Sequence, residues 1–508
     1  MADLVPVFPS VIAGSEAGCR TCKVRRIKCD RGLPACHRCV KSRRVCVKAR
    51  AKSGGLAIQV ENRYASGVVK RPRGPRSSLL PALDFDLQSR ALVYYLNYHL
   101  HTPAEVQKLV GNVQNSVCQW ASHTTNSLID LAISSMALAV FSRTQHHQAA
   151  ATEAREKYNH LLRTARVGLP NLVERDVDAA LLAIFLMSRY EDSMHAPEEV
   201  LSTTAFRSYG HHDGATAILK IWHENSLKII QPASDIIKHS RRGIIRSCIL
   251  RQMPVPAWLA DGAHFGEYGL ELEYDQLVVG VASIRHQFKT LQRERLLHHH
   301  RSQEVYLRGR DLNTEADALS QALQDWSTRL PSTWCPRRHL IPADVTLPRR
   351  HFFSSIVYSY SSVAHAALWL NYFATMMLLN RVRLRILVLI RPASDDLAGE
   401  QQRQEEVCCS QIRVMADALS SSIPFALDRF AVASSSKTPG EEEWILSSDE
   451  EIKPYLGYLT AWPLSIASSI GGLEGELKDW LRSELALVGR TLGVGVLECA
   501  QSYDWLEF

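Results

Sequence analysis

Residues 19–46 read CRTCKVRRIKCDRGLPACHRCVKSRRVC, and the spacing of the cysteines decides how the chain begins to fold. Cys19, Cys22 and Cys29 stand as C-x2-C-x6-C; six residues later Cys36, Cys39 and Cys46 repeat the same internal spacing. Paired C-x2-C sites are a metal signature, because each pair brings two thiols within reach of one ion. The competing reading is a disulfide framework. Met1 to Gly18 carries Asp3 and Glu16 and no cluster of positive charge, so it does not read as a secretory or transit segment. A reducing compartment then favours thiolates on zinc. Structural zinc takes four ligands in a tetrahedron, so two ions would need eight, and six thiolates suffice only if two sulfurs bridge. His37 is better placed as a loop residue than as a substitute ligand. So short a segment buries too little apolar surface to fold without metal.

The cations gather at the same end. Over residues 1–80, Lys and Arg number 18 against Asp3, Glu16, Asp30 and Glu61, a net of +14 in a chain of +7, which leaves −7 for residues 81–508. A basic terminus on an acidic body is the electrostatic footprint of a polyanion-binding module. Between Cys22 and Cys29 stand Lys23, Arg25, Arg26 and Lys28. On a helix there, Val24 and Ile27, three apart, would face the cluster while Arg25 and Arg26 face outward. A guanidinium can fork onto the O6/N7 edge of guanine in the major groove. Lys23, Lys28, Arg31, Arg38, Lys41, Arg43 and Arg44 suit phosphate contact, which supplies affinity and register without reading sequence.

This pattern resembles the fungal zinc binuclear cluster family, and Pro34 matches its loop proline. The resemblance implies two zinc ions bridged by Cys19 and Cys36, with Cys22, Cys29, Cys39 and Cys46 completing the ligand set. It further implies a short helix after each C-x2-C pair, a pseudo-twofold relation between the halves, and reading of a CGG-type triplet by Arg25 and Arg26. The family more often carries lysine at the second of these positions, so Arg26 is a departure. A nuclear site of action and double-stranded DNA as partner follow from the same resemblance.

Outward from the cluster, residues 1–17 are expected to be disordered, 18–48 to form the zinc domain and 49–81 a basic flexible linker. The linker has no sustained a/d heptad, and Gly54, Gly55, Gly67, Pro72, Gly74 and Pro75 would break a coiled coil. Lys70 to Arg76 suits an import signal or a phosphate grip as well as it suits a solvated charge run. Residues 82–508 carry apolar residues at helical spacing, and the expected fold is a small metal-stabilised two-helix zinc cluster domain followed by a large all-α domain. Helices are expected at 87–100, 126–143, 149–167, 177–190, 212–222, 277–299, 314–330, 352–389 and 405–421, with Pro392 and Pro424 as stops. Leu181 to Phe185, His211 to Ala215, Pro254 to Leu259 and Trp369 to Tyr372 resemble the helical regulatory domain that accompanies fungal zinc clusters.

At 46% hydrophobic and 22% charged residues the chain has an ordinary globular composition. The stretch read as nearest to a span, Ser361 to Leu379, is interrupted by His365 and Asn371 and ends against Arg381, Arg383 and Arg385, so no membrane span is expected. Cys118, Cys248, Cys335, Cys408, Cys409 and Cys499 have no metal spacing and are expected as core thiols. His211–His212 and His298–His300 lack partners at fixed spacing and are expected on the surface or in loops. No phosphate loop, nucleophile elbow or His-Glu-x-x-His helix occurs, so the chain is not read as an enzyme. The stripe Tyr358, Tyr360, Trp369, Met376 and Met377 is expected to be buried core rather than the wall of an effector pocket. Glu441 to Glu451 has the acidic and apolar character of an activation segment or a solvated loop. The expected function is a sequence-specific, zinc-dependent transcription regulator, acting with transcriptional cofactors or a small-molecule effector. The other reading is a zinc-stabilised scaffold that binds phosphate without sequence choice, working as a corepressor. Oligomeric state stays open.

Overall fold

The computed structural model describes residues 18–32, 35–42, 44–47, 86–102, 117, 127–196, 199–226, 232–297, 302–342, 345, 347, 350–391, 398–434, 442–446, 451–502 and 505–508. Pro34, Arg43, Pro392, the linker, Cys118 and His298–His300 lie outside them. The chain divides into two units, Met1–Asp84 and Phe85–Phe508.

In the first unit, α1 (Arg20–Val24) and α2 (His37–Lys41) have five residues each. An isolated helix needs roughly 12–15 residues to persist, so tertiary contacts must hold these two. Each begins inside its C-x2-C pair rather than after it: Cys19 and Cys36 are the N-caps, and their sulfurs accept the backbone N–H of Cys22 and Cys39 at 3.3 and 3.4 Å. His37 is therefore the first residue of α2 and not a loop residue. Both helices end in the same way. Arg26 N–H donates to Lys23 O at 3.1 Å and Ile27 N–H to Cys22 O at 3.1 Å, while Arg44 N–H donates to Cys39 O at 3.0 Å. Arg26 sits in the left-handed region at φ 53°, which is how a Schellman-type terminus stops a helix. The expected apolar face from Val24 to Ile27 is thereby lost: Val24 is 75% exposed and Ile27 37%. The buried cluster of this unit consists of Cys19, Cys22, Cys36 and Cys39, with Cys29 and Cys46 packed against it.

The second unit is largely helical. It opens with α3 (Leu87–Tyr94, extended by a π-helical turn, Tyr95–His99) and continues with α4 (Ser127–Thr144), α5 (Gln148–Arg175), α6 (Val177–Ser193), α7 (Leu201–Ser226) and α8 (Asp235–Arg251). After these come α9 (Gly269–Leu297), α10 (Ser302–Thr328), α11 (Val363–Leu389), α12 (Ala398–Ala426), α13 (Pro454–Ser469) and α14 (Gly475–Leu492). Sequence neighbours pair, α4 with α5, α6 with α7, α9 with α10, α11 with α12 and α13 with α14, and α11 also packs on α9, α10 and α13. The burial that holds such helices is seen in α14. Leu477, Leu481, Leu485, Val488 and Leu492 bury one face, and Gly493 at φ 64° supplies the left-handed C-terminus. By length and composition α4 could cross a membrane, but 72% of it is buried within the body, as befits a core helix.

Two antiparallel hairpins interrupt the helices. Strand β1 (Arg337–Leu340) pairs with β2 (Ile356–Ser359), and β3 (Phe430–Ser434) with β4 (Glu442–Leu446). Ile341, Phe352, Val357 and Phe430 bury a small separate cluster beside them. The helix expected from Phe352 therefore starts only at Val363, because β-branched Ile356 and Val357 pair with β1. Glu442–Leu446 is a strand rather than a loop. Pro424 lies inside the last turn of α12, which ends at Ala426. Helices α8, α13 and α14 were not expected from the sequence.

Candidate metal centre and nucleic-acid interface

The Sγ atoms of Cys19, Cys22, Cys36 and Cys39 all lie within 4.8 Å of one another. Cys19 Sγ is 3.7 Å from those of Cys36 and Cys39, and Cys22 Sγ is 3.6 Å from Cys36. Cys29 and Cys46 flank this group and stand outside its tightest part, so the six predicted ligands come together as four plus two. Each flanking sulfur accepts a backbone N–H of the opposite arm of its own half-motif: Cys19 N–H to Cys29 Sγ at 3.4 Å and Cys36 N–H to Cys46 Sγ at 3.3 Å. Gly18 allows the chain to pass Cys29 this closely, since a Cβ there would stand 2.7 Å from Cys29 Cβ.

The two halves cap each other. The Asp30 carboxylate accepts His37 N–H at 2.7 Å and Arg38 N–H at 3.1 Å, satisfying the first donors of α2. At the related place in the other half, Val47 O accepts Arg20 N–H at 2.7 Å, and Thr21 Oγ1 donates to Val45 O at 2.8 Å. Those amides, His37 first and then Arg38, hold the Asp30 carboxyl below its usual range.

The thiols respond to their crowding in opposite directions. Burial, before any neighbour, pushes Cys22 up, and pushes Cys39 up to about 12, whereas the backbone N–H of Cys22 draws Cys19 down to about 6. Four sulfurs this close cannot all be thiolates unless a cation sits among them. Zinc supplies that charge, and N–H donors to the sulfurs are the outer shell such a site requires. The residues fit the metal.

The cations stand around this centre. Lys23, Arg25, Arg26, Lys28, Arg31, Arg38, Lys41 and Arg44 are all exposed. Asp30 is the single acid between residues 18 and 47, and its carboxylate is engaged by the two amides above. Arg25 Nη1 donates to Ser42 Oγ at 2.9 Å, which joins the C-termini of α1 and α2. Lys23 lies within α1 and Arg25 caps it, while Arg26, Lys28 and Arg31 lie beyond it, so the basic set follows a helix end and a turn rather than one continuous helix.

In the body, the histidine pair is neither a loop feature nor a ligand set. His211 Nε2 meets Tyr158 OH at 2.9 Å, and His212 bridges Ser188 and Ser247 at 3.1 and 3.0 Å, within α7. Burial pushes both imidazoles down to about 4, so each is a neutral hydrogen-bonding group. Trp369, Met376, Met377 and Tyr360 are buried core.

Residues 17–55 match the family model described as the fungal Zn(2)-Cys(6) binuclear cluster domain. With the cysteine group above, this makes the head a fungal-type zinc binuclear cluster domain that binds two zinc ions, followed by a largely helical body. Such a head marks a DNA-binding transcription regulator of the zinc cluster class. No curated protein and no solved structure matches the chain.

Proposed function

We propose that the protein is a nuclear regulator of transcription by RNA polymerase II that recognises a short guanine-rich, CGG-type triplet. In this reading Cys19 and Cys36 bridge the two zinc ions and Cys22, Cys29, Cys39 and Cys46 complete their coordination. Arg25 and Arg26 read guanine edges; Lys23, Lys28, Arg31, Arg38, Lys41, Arg43 and Arg44 hold phosphates. The domains are residues 1–17 as an N-terminal extension, 18–48 as the zinc head, 49–81 as the linker and 82–508 as the regulatory body, which does no catalysis.

The observation that carries this reading is the pairing of a sulfur centre with a cationic surface whose one acid among the described residues, Asp30, is far outnumbered. Among the described residues nine exposed cations, Arg20 and the eight above, surround the cluster, and Asp30 accepts from backbone amides. Free cations at a metal-anchored helix end are available to phosphate and base edges. Selection of the full chain on a randomised duplex library, at fixed salt with and without a zinc chelator, tests it. Enrichment of a guanine-rich triplet that vanishes on chelation is expected. Zinc-dependent binding that enriches no sequence would replace base reading with a phosphate-binding scaffold.

A further inference from the structure

The body holds a partly open pocket of about 430 Å³, a size suited to a small organic ligand. Its walls come from α4, α6, α8, α9, α10, α11 and α13, and aromatic rings contribute much of them, among them Phe185, Trp326, Tyr458 and Trp462. Two acids reach the lining, and both already have partners. Asp275 holds Arg241 through both oxygens at 2.8 and 2.7 Å. Glu271 stands 3.5 Å from Arg242, which also forks onto Glu267 at 2.8 and 2.6 Å.

Arg246 has no such partner. Its guanidinium lies over the Trp462 ring, 5.3 Å from the centroid, and among the described residues no carboxylate pairs with it. Burial first, then the neighbouring Arg242 and Arg189, push it down to about 10, which leaves it charged at neutral pH. Arg189 lies 5.6 Å from the rings of both Phe185 and Tyr458. His239, edge-on to Phe185 at 5.0 Å, is pushed down to about 3 by burial and by the same arginines, and stays neutral. A half-buried cation without a counter-charge is costly to keep from water, and here it faces an open space with aromatic walls. Guanidinium is the side chain best matched to a carboxylate, through two parallel hydrogen bonds.

We propose that this cavity binds an organic carboxylate with a planar apolar body, its carboxylate on Arg246 and its body against Trp462 and Tyr458. The site lies wholly in the helical body, so it goes beyond the DNA-reading assignment and does not rest on it. Titration calorimetry on the full zinc-loaded chain with 2-naphthoate and its neutral counterpart 2-naphthamide tests the pairing. The carboxylate should bind at least about tenfold tighter than the amide, the loss expected when a charged hydrogen bond is removed. Arg246→Gln should abolish that preference, and Arg246→Lys should restore part of it. Equal affinity for the two compounds, no naphthoate binding up to about 1 mM, or an Arg246→Gln chain that folds and keeps the preference would each overturn the site. Should the glutamine variant not fold, the ratio measured on the unaltered chain decides. Naphthoate binding should also survive zinc removal, so failure of this site and failure of DNA reading are read separately.

Discussion

The head buries four cysteines and leaves Val24 and Val45 75% and 80% exposed, whereas the body buries Leu370, Met376 and Leu379 completely within one continuous cluster. Apolar residues are thus spent differently in the two units. In the body they are the driving force for folding, through apolar area removed from water. In the head that force is absent, and order comes from sulfur, metal and reciprocal capping, as expected where a segment is too short to enclose a core. What is inside a small metal domain cannot be inferred from which residues are apolar.

The largest effect that would sharpen this contrast is zinc removal. Hydrogen exchange on the full chain with a chelator, or on Cys22→Ser, should show residues 18–47 losing protection entirely while α11 keeps its own. Protected head amides without zinc would break the comparison. Next in size, Leu370→Ala should cost the body about 2–5 kcal/mol in denaturant unfolding, the penalty of a cavity in a packed core, and leave zinc content unchanged. Arg26→Ala should weaken cognate duplex by about 1–3 kcal/mol and random duplex by less; equal weakening would move Arg26 to the phosphate set. The smallest effect belongs to Asp30→Ala. Removal of a cap costs about 0.5–2 kcal/mol, and it should appear as easier loss of zinc to a competing chelator, with body unfolding unaltered.

The sequence made the head's metal chemistry legible because ligand spacing is a covalent property that survives any local conformation. It misjudged Val24 and Ile27 because a face three residues apart exists only where the helix continues, and here the left-handed turn at Arg26 ends it. A left-handed arginine costs about 1–2 kcal/mol where glycine would cost little, and that cost is uncompensated unless the side chain is used. In the body, Leu and Ile periodicity announced most helices. Helix α8 was hidden because Arg241, Arg242, Gly243 and Arg246 interrupt its apolar pattern, although Ile236, Ile237, Ile244, Ile245, Cys248 and Ile249 bury one face of it. Those same interruptions are what α8 sends into the cavity and its ion pairs, Arg242 and Arg246 to the lining and Arg241 to Asp275. The signal was present as an Ile-Ile pair repeated after two turns, with arginine between.

Neither half of the head contains the whole cap of its own helix. Asp30, from the first half, closes α2, and Val47, from the second, closes α1. A single half-motif is therefore not a smaller version of the domain, and an intermediate holding one ion would leave both helix ends open. The head should fill as one event: zinc titrated into the stripped chain should give a single steep transition, with the half-loaded species scarce at every point.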